Sequence, residues 1–232
     1  MSNEINRIVV GPIETNCWLY PMEEGGSMRP CVVIDPGGEA EKIISRLKEL
    51  NWFPAFIFLT HGHFDHLMAL PDLIEAFEKG TFGNKSRPQI GIHRLDAHYT
   101  GKNAFKAHAE SFAAAGGDGA YLDSIWKPMP DADILFEDKD AAGPFKVLHV
   151  PGHTQGSVCL YDEKAAVLFS GDTLFKGDFG RSDLPGGSRP QIKESIRGRL
   201  FTLEGEITVY PGHGSNTSIK EERENLDLEA YG

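Results

Sequence analysis

His61-Gly62-His63-Phe64-Asp65-His66 places three imidazoles and a carboxylate in six residues, directly after the apolar run Phe56-Ile57-Phe58-Leu59-Thr60. Such side chains are poor packing material for the end of a strand. Neutral imidazole nitrogen and carboxylate oxygen are, however, the donors that a borderline divalent ion such as zinc accepts. The segment therefore reads as a metal loop. Residues two apart in an extended loop point the same way, so His61 and His63 converge on one ion. Asp65 and His66 open the apolar stretch Leu67 to Phe77, which reads as a helix, and turn toward a second ion. The plainer alternative is a His-rich loop that takes up metal adventitiously, and the rest of the chain argues against it.

Three further segments supply donors. His153 follows Phe145-Lys146-Val147-Leu148, Asp172 follows Ala165-Ala166-Val167-Leu168, and His213 follows Ile207-Thr208-Val209. Each is preceded by a glycine: Gly152, Gly171 and Gly212. The plan is a short β-type run, a glycine that turns the backbone, and a donor aimed into a shared cleft. One His or Asp after a glycine is ordinarily a turn residue. Three of them beside the His61 loop form a pattern.

On these residues the sequence resembles the metallo-β-lactamase superfamily. Thr60 to His66 looks like its first metal motif, and the segments at His153, Asp172 and His213 follow in the family's order. Asp35, in Val33-Ile34-Asp35-Pro36-Gly37-Gly38, is similar to the early aspartate that braces the metal loops. The resemblance spans about Ile8 to His213. It implies that His61, His63 and His153 hold one metal, that Asp65, His66 and His213 hold another, and that Asp172 bridges them. The implied cofactors are two divalent ions, zinc first, with iron or manganese as alternatives. Two ions ~3.5–4 Å apart generate hydroxide near neutral pH and polarise a carbonyl. Asp65 is then the group to orient that water and accept its proton.

Composition narrows the function classes. A 232-residue chain that is 40% hydrophobic and 25% charged suits one globular domain, residues 1–232. A formal charge of −11 disfavours nucleic acid as a partner, because phosphates need a basic footprint. Three cysteines, Cys17, Cys31 and Cys159, do not make a disulfide framework. The opening Met1 to Arg7 lacks a signal-peptide pattern, and no apolar run approaches ~20 residues. The expectation is a cytoplasmic protein with no membrane partner. The secreted antibiotic-hydrolysing members normally carry a signal, and commonly have cysteine where Asp172 stands.

The elements that must position these residues follow from periodicity. Strands are expected at Ile8-Val9-Val10, Cys17-Trp18-Leu19-Tyr20 and Cys31-Val32-Val33-Ile34, with a turn at Gly25-Gly26. Helical spacing covers Glu39 to Leu50, the stretch from the metal loop to about Lys79, Lys102 to Ala115, Pro190 to about Leu203, and Lys220 to Leu226. Strands then helix, twice, fits an α/β fold of two mixed sheets packed face to face with helices outside. The resemblance implies the same αββα sandwich. Residues 94–130 are the least family-like and read as an insertion: a cover over the cleft, a subunit contact, or a plain surface insertion. His93, His98, His108 and His149 are left out of the metal set; His108 is the one best placed to approach substrate.

The run Gly177 to Gly187, together with Glu14-Thr15-Asn16-Cys17, is similar to the glyoxalase II-like (hydroxyacylglutathione hydrolase-like) branch. The resemblance implies a small-molecule thioester substrate attacked by a metal-bound hydroxide. Thiolate leaves readily, so no strong general acid is required. Arg181 either meets an anionic substrate group or pairs with Asp183. Full-length glyoxalase II has a further helical domain that grips glutathione, whereas this sequence ends soon after the His213 loop. A compact enzyme with a looser or different thiol is therefore expected. The nearest rival is a persulfide dioxygenase that binds one iron through His61, His153 and Asp172. A phosphodiesterase or nuclease is the second rival, and the −11 charge weighs against it.

Overall fold

A computed structural model describes residues 5–23, 27–83 and 85–229. The Gly25-Gly26 turn expected from sequence lies outside the described residues. The first sheet runs in the order β1 (Asn6–Val10), β2 (Thr15–Pro21), β3 (Arg29–Ile34), β4 (Trp52–Phe58), β5 (Gln89–His93) and β6 (Ile134–Phe136). Its first three strands pair antiparallel and its last four parallel. The second sheet uses β7 (Ala141–Ala142), β8 (Phe145–His149), β9 (Val158–Asp162), β10 (Val167–Gly171), β13 (Thr208–Pro211) and β14 (Thr217–Ser218). There β10 and β13 pair in parallel and the other neighbours antiparallel. A small hairpin, β11 (Leu174–Phe175) with β12 (Asp178–Phe179), projects after β10.

Alternation along the strands explains the layers. Trp18, Tyr20, Val32, Ile34 and Phe58 face the second sheet, where they meet Phe145, Val147, Leu160 and Phe169. Their sequence neighbours Cys17, Leu19, Cys31, Val33 and Ile57 face outward. There they pack against helices α1 (Ala40–Glu49) and α2 (Leu70–Glu78) through Ile43, Leu47, Leu70 and Leu73. On the far side Cys159, Leu168 and Val209 pack under α5 (Arg189–Ser195) and α6 (Ile219–Asn225). Both faces of each sheet are thus covered, and all seven residues of β2 are buried. The observed layers are the expected αββα. All three cysteines are free and buried, and burial pushes their thiols well up in pKa. They are packing residues.

Three local readings change. The helix after the metal loop begins at Leu70, not at Leu67; Phe64–His66 forms a single 3-10 turn, and Pro71 sits in the first turn of α2. Proline has no N–H to lose there, which favours a helix start at that point. The helix expected from Pro190 to Leu203 is α for Arg189–Ser195 and then π-helical for Ile196–Leu200. Residues 94–130 hold two helices, α3 (Ala104–Ala114) and α4 (Gly119–Ile125), where one was expected. Among the described residues no helix is long and apolar enough to cross a membrane.

Candidate metal centre

Four strands, β4, β8, β10 and β13, lead into donor-bearing loops at one edge of the sandwich. The His61 loop is stitched to the opposite sheet, since Val158 N donates to Thr60 O at 2.8 Å. Two glycines act differently here. Gly152 adopts φ 137°, which a side chain would resist. Gly212 has ordinary torsions, but an added Cβ would run into the Asp172 carboxylate and the His66 ring. Its role is space for close approach rather than a turn.

The seven expected donors meet in two abutting sets. His61, His63 and His153 converge, all buried, and Asp65, His66 and His213 converge beside them. Asp172 faces both: its oxygens lie 3.7 Å from His153 Nε2, 3.4 Å from His66 Nε2 and 3.6 Å from His213 Nε2. No ion is needed to see the orientation. His63 Nδ1 and His61 Nε2 each approach His153 Nε2, at 2.8 and 3.2 Å. Nitrogen lone pairs that converge this way repel unless a proton or a cation sits between them.

The outer nitrogens explain the inner ones. His153 Nδ1 donates to Arg181 O at 2.7 Å, and His213 Nδ1 donates to Ile13 O at 3.2 Å. His66 Nδ1 donates to Asp35 Oδ2 at 3.0 Å. His61 Nδ1 lies 3.1 Å from Thr60 Oγ1, whose own proton goes to Asp35 Oδ2 at 2.6 Å. With those N–H groups committed outward, each opposite nitrogen presents a lone pair inward, the arrangement that metal-ligating histidines use. His66 Nε2 and Asp172 Oδ1 are buried without a hydrogen-bond partner, as donors awaiting a cation would be.

Electrostatics separates the halves. Burial, with neighbouring imidazoles, pulls His61 well down and His63 down to about 3, so both are neutral at pH 7. At His66 burial opposes protonation, but Asp65, Asp172 and Asp35 outweigh it and raise the pKa well above the usual range. At Asp172 burial is likewise outweighed, chiefly by His66, and the carboxyl falls to about 2. The second half attracts positive charge. The donor chemistry of both halves fits divalent ions.

Asp35, expected to brace the metal loops, lies between Thr60 and His66. Its carboxylate accepts from Thr60 N (2.8 Å), Thr60 Oγ1 and His66 Nδ1, and it is 1% exposed. It sits at φ 51°, a conformation that Asp tolerates better than most residues. Asp35 also lies within reach of His61 and His66 as a third possible donor group. Its oxygens are already filled by three hydrogen-bond donors, so it supports the ligands and does not join them.

Three positioning residues were not singled out from sequence. Asp96 is 1% exposed and accepts from Gly62 N (2.9 Å), Thr154 Oγ1 (2.7 Å) and Gly156 N (2.7 Å). One carboxylate thereby ties the His61–His63 loop to the His153 loop. Asn16 donates to Pro211 O (2.9 Å) and Gly214 O (3.1 Å), which fixes the His213 loop. Thr15 Oγ1 donates to Asp65 Oδ2 at 3.0 Å. Only the similarity of Glu14-Thr15-Asn16-Cys17 to the family's opening pointed to this segment.

Five of the donors, His63, Asp65, His153, Asp172 and His213, floor a cleft of about 480 Å³. Its walls include Phe64, Met68, Phe112, Tyr121 and Ile125, so α3 and α4 cover the site. Within residues 94–130, His108, Phe112, Tyr121 and Ile125 line this cleft. Arg181 also lines the cleft, paired bidentately with Asp183 at 2.8 Å through both Nε and Nη2. His108 is buried at the cleft and donates from Nε2 to Tyr99 O at 2.8 Å. A larger hollow of about 1150 Å³ lies elsewhere, against Tyr20, Arg29 and Tyr161, and holds none of the donors. The chemistry belongs to the smaller cleft.

Known proteins resemble this chain in sequence and fold. The hydroxyacylglutathione hydrolase GloC of Haemophilus influenzae is 33% identical over 219 residues, covering 94% of both chains. The crystal structure of TTHA1623 in a di-iron-bound form superposes with a TM-score of 0.77 at 32% identity, covering 96% of this chain and 99% of that one. That of the B3 metallo-beta-lactamase BLEG-1 gives the same TM-score and identity, covering 97% and 100%. The family model described as the metallo-beta-lactamase superfamily matches residues 10–213. The chain therefore belongs to the metallo-beta-lactamase superfamily, whose members are metal-dependent hydrolases.

Proposed function

We propose that the protein is a dimetal hydrolase that cleaves thioesters of the hydroxyacylglutathione type. The observation that carries this reading is the pair of abutting donor sets sharing Asp172 at the floor of one cleft. The 33% identity to a hydroxyacylglutathione hydrolase supports the thioester. Two divalent ions, when bound, would polarise the carbonyl and lower the pKa of a shared water. His61, His63 and His153 would hold one ion, Asp65, His66 and His213 the other, and Asp172 would touch both. Zinc suits these donors, and iron or manganese accepts them too.

The chain's own groups supply orientation. Thr15 Oγ1 donates to Asp65 Oδ2 at 3.0 Å, and His213 Nε2 lies 3.3 Å from the same oxygen. Asp65 lies far below the usual carboxylate range: burial opposes this, and His66 outweighs it. It therefore stays ionised at pH 7, ready to orient a water and take its proton at Oδ1 or Oδ2. A thiolate leaves without protonation, so the lack of an obvious general acid among the described cleft residues is consistent with a thioester. Arg181 is half exposed, and its ion pair with Asp183 is worth at most about 1 kcal/mol. An anionic group on the thiol portion would exchange with Asp183 at little cost.

The test is hydrolysis of S-lactoylglutathione by zinc-loaded protein, measured beside a cephalosporin and beside oxygen uptake with glutathione persulfide. Thioester turnover with the highest kcat/KM of the three is expected. A faster β-lactam reaction, or persulfide-dependent oxygen consumption by protein holding one iron, would contradict the reading.

A further inference from the structure

The wall of the cleft has a composition that the reaction alone does not explain. Helices α3 and α4 meet at Gly116-Gly117, where Gly116 takes φ 83° and the missing Cβ of Gly117 makes room for the Phe112 ring. Phe112 then stacks on Tyr121, centroids 6.3 Å apart and planes 23° from parallel. Beneath them Trp126 stacks on Phe64 at 5.9 Å and 20°, and Phe64 lies between the donors His63 and Asp65 in the chain. The hairpin is thus anchored on the metal loop itself. An apolar surface leads from the donors through Phe64, Met68, Phe112 and Ile125 to Tyr121 at the rim. Tyr121 is 48% exposed, and Ile13, also lining the cleft, is 58% exposed. Apolar side chains gathered in one concave place beside a reactive centre mark a ligand surface.

Charge decides which part of a thioester lies there. Apart from histidines, Arg181 is the one cationic side chain among the described residues of the cleft, and Asp183 engages it. A glutathione moiety carries two carboxylates and an ammonium group, and the wall residues Phe64, Met68, Phe112, Tyr121 and Ile125 offer none of them an opposite charge. Burying unpaired charge costs several kcal/mol or more. The charged thiol portion therefore belongs at the open, Arg181 side, and the uncharged portion belongs on the wall. Resting on the thioester reading, we propose that Phe64, Met68, Phe112, Tyr121 and Ile125 form an acyl-binding surface. The enzyme then prefers apolar acyl groups of about four to six carbons to the small hydroxyacyl group.

The experiment holds the thiol constant and varies the acyl group. Values of kcat/KM are measured for acetyl-, butyryl-, hexanoyl- and lactoyl-glutathione with zinc-loaded enzyme. Burial of each added methylene is expected to raise kcat/KM about fourfold, from ~0.8 kcal/mol per methylene. Hexanoyl is expected to exceed lactoyl. In Phe112→Ala and in Tyr121→Ala the hexanoyl-to-acetyl ratio falls at least about tenfold; Tyr121 is exposed enough that its variant folds. As a readout free of turnover, hexanoate is expected to bind more tightly than acetate, followed by the fluorescence of Trp126 beneath the wall. A flat acyl series, or a slope unchanged in both variants, overturns the acyl assignment while leaving thioester hydrolysis standing. A rate that responds to replacing glutathione with uncharged N-acetylcysteamine, and not to acyl length, would place the thiol on the wall instead. Failure to cleave any thioester would sink the reaction and the acyl surface together.

Discussion

Asp96 shows how one buried carboxylate can govern a site it does not enter. It holds Gly62, Thr154 and Gly156, and so sets the distance between two donor loops more than 90 residues apart in sequence. Burial pushes its pKa up and its three donors pull back. Asp96→Ala would leave two backbone N–H groups and a hydroxyl unpaired, at ~1–3 kcal/mol each before relaxation. The expected outcome is a loss of at least about 2 kcal/mol in urea unfolding of the metal-free protein. Metal release to a chelator should also be faster, with Asp96→Asn milder on both counts. His108 gives a pH prediction. Burial lowers its pKa from 6.5 to about 4, so the folded state keeps it neutral while the unfolded chain protonates it. Its contribution is present above pH 6.5 and is lost as pH falls toward 4. Between pH 7 and 5 the loss is about 2 kcal/mol. His108→Gln should flatten that part of the pH–stability curve, and an unchanged slope would show that other groups carry it. The seven clustered donors were legible in sequence because each follows a strand-like run, six of them with a glycine one to four residues before. Asp96, Thr15 and Asn16 were not read as positioning residues. Their partners are distant in sequence, and a lone Asp, Thr or Asn looks like any turn residue until the loops are assembled.

At the scale of elements, the site depends on strand ends being held together. β2 is central to this, because Asn16 N also donates to Gly212 O at 2.7 Å and Thr15 bridges to His213. Asn16→Ala removes two side-chain hydrogen bonds from the His213 loop. The second ion should bind more weakly and the first nearly as before, a difference that stepwise metal titration resolves. Equal weakening at both sites would contradict this division of labour. Periodicity located most of the helices, because the outer-face pattern of residues such as Ile43 and Leu47 is strong. It missed α4, a helix of seven residues with one fully buried side chain, too short to show a period. It also started α2 at Leu67, directly after the metal loop, rather than at Leu70. The donors of Asp65 and His66 require a tight 3-10 turn there, and local hydrophobicity does not report that requirement.

For the whole molecule, metal binding and folding should be linked. The second half of the centre gathers Asp35, Asp65 and Asp172 around one buried imidazole, so a cation bound there meets three carboxylates. A cation that binds only the folded chain stabilises it by ~2.7 kcal/mol at a hundred times its dissociation constant. At ~2–4 °C per kcal/mol for a chain of this size, the zinc-loaded protein should melt roughly 5–10 °C above the chelated one. Equal melting temperatures would argue that the donors do not close on metal. The αββα layering was legible because two-sided burial of the strands leaves few other architectures for this order of elements. The covering hairpin was not, because whether a segment packs over a cleft or away from it depends on contacts such as Trp126 on Phe64. The central claim is that one folded chain closes two adjoining metal sites that share Asp172. Elemental analysis of protein stripped by chelator, reconstituted with zinc and freed of excess metal tests it most directly. Two ions per chain, falling to one or none in Asp172→Ala, is the predicted result. A wild-type chain that retains one ion or none would contradict it.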